Sequence, residues 1–95
     1  MNKYLVKERQ LYGGPQKLYK FPNGYGASIV NHQYSHGLEL AVIKWNKYSF
    51  DLCYDTPITS DVIGNLEPEE VEGILKQIFE LESRGTIKWI NIKNH

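Results

Sequence analysis

Ninety-five residues with no formal net charge, 41% hydrophobic and 23% charged, have the composition of one globular domain with a modest core and not of a disordered chain. No apolar run reaches the roughly 20 residues that a membrane-spanning helix needs, and Lys3, Lys7 and Glu8 fall where a secretory leader needs its apolar core. Cys53 is the single cysteine, which excludes an intrachain disulfide and a multi-cysteine metal site, and the expected compartment is the cytoplasm of a cell or of an infected host.

Residues 4–12 place Tyr4, Leu5, Val6, Leu11 and Tyr12 between charges and read as an edge strand or an arm. Gly13-Gly14-Pro15 is a break. Residues 16–21 follow as a strand, with Tyr19 and Phe21 on one face and Leu18 on the other. In Pro22-Asn23-Gly24 the Asn-Gly pair supplies the positive φ angles of a tight hairpin, and Pro22 has no N–H to give to a ladder. The return strand, 25–31, sets Tyr25, Ala27 and Ile29 on one face and Gly26, Ser28 and Val30 on the other. Asn31 to Gly37 is a polar loop carrying His32, Tyr34 and His36. Residues 38–45 are apolar on both faces, which predicts a central strand. Residues 48–54 alternate, with Tyr48, Phe50, Leu52 and Tyr54 on the face expected to be buried.

Thr59 to Gly64 reads as a capped single turn. The main helix follows, with Glu67 as cap, Pro68 at the first position and Glu69 and Glu70 at the positive end of the dipole. Val71, Ile74, Leu75, Ile78 and Phe79 form one apolar stripe. Gly73 marks expected close packing on the sheet, and Arg84-Gly85 a stop. Residues 86–92 read as a last strand. The fold class is therefore α+β: an antiparallel β-meander of three to five strands with one main helix in the C-terminal half packed on one face. It is a single domain over 1–95, with its core over about 12–92.

Gly13-Gly14, Gln16-Lys17-Leu18-Tyr19 and Phe21-Pro22-Asn23-Gly24-Tyr25-Gly26-Ala27-Ser28-Ile29-Val30 together resemble a family of short uncharacterised phage and prophage proteins. Leu38-Glu39-Leu40-Ala41-Val42, Tyr54-Asp55-Thr56-Pro57-Ile58-Thr59 and Asp61-Val62 are similar to the same family, over roughly residues 12–80. Its members often carry a longer glycine-rich stretch where this chain has His32 to Gly37. The resemblance implies phage origin and a small accessory protein. It brings no activity, cofactor or catalytic residue with it.

No constellation here has the spacing that chemistry needs. His32 and His36 are four apart but sit in a loop with Ser35 and Gly37, so they read as exposed histidines and not metal ligands. Cys53 lies between Asp51 and Asp55, which raise a thiol's pKa. Gly24-Tyr25-Gly26 lacks the third glycine and the following helix of a phosphate loop. Asp51 and Asp55 stand roughly 13 Å apart on a strand, too far for a glycosidase pair. The reading is no enzyme, no cofactor and no metal.

What remains is recognition. Tyr4, Tyr12, Tyr25 and Tyr34 lie beside loops or arms, where tyrosine makes contacts at low entropic cost. Charge is segregated: residues 1–20 hold Lys3, Lys7, Arg9, Lys17 and Lys20 against Glu8, while nine carboxylates face Lys76 alone over 51–83, a net −8. Glu69, Glu72, Glu80 and Glu82 are expected to point outward, an array that resembles a line of phosphates to the basic cleft of a nucleic-acid-handling enzyme. The expected function is a small phage-encoded interaction protein that binds a host or phage macromolecule as inhibitor or regulator. Its expected contact residues are Tyr25, His32, Tyr34 and His36 together with those four glutamates. A homodimer is expected because the 38–45 strand has two apolar faces and one helix to cover them. A nucleic-acid-binding accessory protein is the alternative, and a small enzyme of unknown class the third reading.

Overall fold

The computed structural model describes residues 1–82, and the predicted stop at Arg84-Gly85 and strand at 86–92 lie outside them. After a 3-10 turn, Asn2–Tyr4, five strands run as an antiparallel meander: β1 (Leu5–Leu11), β2 (Gly14–Lys20), β3 (Tyr25–Val30), β4 (Glu39–Asn46) and β5 (Ser49–Leu52), paired in that order. The helix α1 (Pro68–Phe79) lies chiefly over β3. The α+β class and the meander are as the periodicities predict.

Period-two alternation builds the core. Tyr19, Phe21, Tyr25, Ala27, Ile29, Leu40 and Val42 meet Val71, Leu75, Ile78 and Leu81 from the helix side. Tyr4 also belongs here, its ring 5.3 Å from those of Phe21 and Phe79. On the opposite face Leu18, Ala41 and Ile43 are buried too. The 38–45 stretch is thus an interior strand that buries both faces. Its apolar second face gives no reason of its own for a second copy to cover it.

Several local expectations change. The first turn is Tyr12-Gly13, with φ of 52° and 82°, and Leu11 pairs with Gly14 across it. Pro15 therefore sits inside β2 and is no break. At the second turn only Gly24 has positive φ, 89°; Phe21 N–H donates to Tyr25 C=O, giving a three-residue loop closed by a left-handed glycine. Residues 59–64 form no helical turn: Thr59 and Asp61 side chains satisfy local backbone groups, and Ile63 bridges to Leu40. Gly73 is exposed, with no neighbour where a Cβ would stand, so close packing does not explain it. The helix ends at Phe79, because Asn23 Nδ2 donates to the carbonyls of Ile78 (2.8 Å), Phe79 (3.2 Å) and Leu81 (2.8 Å).

Candidate interaction surface

Two turns that are far apart in sequence meet at one end of the sheet. Gly14 lets the chain pass against Asn31, whose carbonyl oxygen lies 1.9 Å from where a Cβ would be. That approach lays the 31–38 loop beside the Tyr12-Gly13 turn, and Gln33 N–H reaches Tyr12 C=O. Ser35 holds the loop: its Oγ accepts His32 N–H (2.9 Å) and lies 2.7 Å from Gly37 C=O. His32 Nδ1 accepts Tyr34 N–H at 3.1 Å, which leaves the ring proton of the neutral imidazole on Nε2.

The result is a cluster of three rings. Tyr12 stands edge-on to His32, centroids 5.4 Å apart, and to Tyr34, 5.1 Å apart, while His32 and Tyr34 are 6.2 Å apart. Tyr12 is 58% and Tyr34 70% exposed. Edge-to-face contacts of this kind favour the arrangement in the free protein. His36 is separate. Its side chain is exposed, and both its Nδ1 (3.7 Å) and its backbone N–H (2.9 Å) approach Glu39 Oε2.

The other expected contact residues are scattered. Tyr25 is a correction: it is 3% exposed, with Lys44 Nζ 5.3 Å above its ring, because β3 turns it toward the helix. Burial, then Cys53 and Asp55, push its phenol up. Glu69 and Glu72 are exposed on α1, and Glu72 lies 3.9 Å from the amino terminus. Glu80 is the helix C-cap and Glu82 lies beyond it, both half-buried, so the four carboxylates do not form one straight row. Lys76 follows Glu72 by one turn.

Sequence reading missed the far end of the sheet. Tyr48, expected on a buried face, is 96% exposed at the β4–β5 turn. Trp45, its ring 5.2 Å from that of Phe50, crosses Gly26 to donate from Nε1 to Tyr19 C=O (2.9 Å) and carries Lys20 Nζ 5.3 Å over its ring. The β4–β5 turn is Lys47-Tyr48, with Lys47 at φ 40°, so Tyr48 lies outside the strand alternation.

Two concavities hold titratable groups. One, ≈ 330 Å³ between α1 and the sheet, is lined by Lys17, Tyr19, Ile29, Val71 and Glu72 among others. Burial, then Glu72 and Glu8, push the Tyr19 phenol up, so it is a neutral donor at neutral pH. The other is lined by Tyr25, Lys44, Asp51, Cys53 and Asp55. Cys53 donates to Asp55 Oδ1 at 2.9 Å, and burial followed by that bond pushes its thiol up, which lowers its nucleophilicity.

No helix among the described residues is long and apolar enough to cross a membrane. No protein-family model, curated protein or solved structure matches the chain.

Proposed function

We propose that this protein acts by binding a protein partner of the host or phage, as an inhibitor or regulator, through the Tyr12–His32–Tyr34 end of its sheet. The observation that carries the reading is that cluster: two highly exposed tyrosines, drawn from different turns and held in mutual ring contact. Tyrosine in a rigid setting brings contact area with little entropy to lose, which is why it is enriched in interface centres. The carboxylates of α1 then form a flank that favours a basic partner surface and faster encounter. A cytoplasmic site of action and a phage origin belong to the same proposal.

The test is capture from host lysate. Tyr12→Ser with Tyr34→Ser is expected to lose the captured protein while circular dichroism stays native, since both rings are exposed. Glu69→Gln, Glu72→Gln, Glu80→Gln and Glu82→Gln together are expected to keep it, with a weaker salt dependence. Capture that survives the tyrosine pair and fails with the glutamate set would move the contact surface to the helix.

A further inference from the structure

The two edges of the sheet are built differently. β1 carries Lys7, Glu8 and Arg9 and a register shift between Leu5 and Lys7. Charges and bulges of this kind keep an edge from pairing with another chain. β5 carries one charge, Asp51, and its other large side chains are apolar or aromatic. Leu52 is 53% exposed, and Tyr48 and Tyr54 extend the row as exposed rings at either end. Among the described residues no strand pairs with the outer side of β5.

The hairpin decides which groups that outer side presents. Asn46 and Ser49 close a two-residue turn, Lys44 pairs with Asp51, and Cys53 N–H donates to Val42 C=O at 2.8 Å. Residues 49, 51 and 53 thus direct their backbone groups to β4. The alternation of an antiparallel ladder turns the N–H and C=O of Phe50 and Leu52 outward.

From this edge we infer that β5 pairs antiparallel with β5 of a second copy, joining two five-stranded sheets into one. A two-fold axis normal to the sheet sets residues of like parity opposite each other. Centred on Asp51, such a pairing would oppose two carboxylates. Centred on Phe50, it sets Phe50 against its own copy and Ser49 against Asp51, so that the outward N–H and C=O of Phe50 pair with those of its copy, and Leu52 comes to stand beside the Tyr48 turn of the second copy. One face of the new ladder then carries Phe50 and Leu52, and the other pairs the Ser49 hydroxyl with the Asp51 carboxylate. The inference does not rest on the tyrosine–histidine end, which lies at the opposite turns.

Sedimentation equilibrium of the full chain tests it. The expected result is a reversible equilibrium between the 11.0 kDa monomer and a dimer. Ser49→Asp places a second carboxylate opposite Asp51 at two symmetric positions and is expected to weaken the dimer. Ser49→Lys creates two opposite-charge pairs and is expected to tighten it, each by roughly twofold to thirtyfold. Circular dichroism checks the fold of both; if Ser49→Asp does not fold, tightening by Ser49→Lys decides. A monomer at every concentration up to about 1 mM overturns the inference. A dimer indifferent to both substitutions overturns it as well.

Discussion

The side-chain amide of Asn23 accepts Tyr25 N–H through Oδ1 (3.0 Å) while its Nδ2 is shared among three carbonyls at the end of α1. One residue therefore shapes the β2–β3 turn and terminates the helix 55 positions away. Asn23→Ala is expected to cost about 1–3 kcal/mol, because partly buried carbonyls lose their donor. Asn23→Asp is expected to cost more, since an ionised carboxylate offers those carbonyls no N–H and repels them. Urea denaturation of the two variants checks the order; an aspartate variant as stable as wild type would show that the carbonyls do not depend on this amide. The turn itself was legible from Pro22-Asn23-Gly24, because φ preference is a local property. The capping was not, since nothing near position 23 encodes what will stand beside it. Tyr25 shows the same limit: its place next to a turn suggested exposure, and strand parity decided burial.

At the scale of elements, periodicity was the reliable guide. The stripe Val71, Ile74, Leu75, Ile78 and Phe79 located α1, and four strands were located to within two residues at their starts, while 4–12, an edge strand or an arm by sequence, contains β1. Turn positions were less legible where several glycines compete: Gly13 takes positive φ and Gly14 the close approach to Asn31, so the chain bends one residue earlier than the triplet suggests. Gly73 is the position where local preference and structure disagree without compensation. It lies in the exposed interior of α1 with open space at its Cβ position. Gly73→Ala is expected to stabilise the protein by about 0.5–1 kcal/mol, through helix propensity and a less flexible unfolded chain. A higher denaturation midpoint with an unchanged slope is the measurement. A fall in stability would mean that the space at the Gly73 Cβ position is not open in solution.

At the scale of the whole molecule, what sequence could not show is adjacency between turns. Tyr12 and Tyr34 were each legible as contact candidates, but only strand register brings their rings to 5.1 Å. Charge behaves similarly. Lys3 and Lys20 sit over Tyr4 and Trp45, Arg9 donates to Gln16, and the amino terminus lies 3.9 Å from Glu72. The acidic helix is therefore held to the sheet by its apolar stripe, by the amino terminus at Glu72 and by Asn23. A helix attached in this way opens as its own unit when one link is cut. Native-state hydrogen exchange should find the slowest amides where β3 and β4 pair, around Ala27–Val42 and Ile29–Leu40. The α1 amides are expected to exchange faster than that centre, and in Asn23→Ala both quicken by about 5- to 150-fold, because either opening breaks the Asn23 contacts. In the parent, α1 amides as slow as those of β3 would mean that helix and sheet open together and that α1 is not a unit of its own.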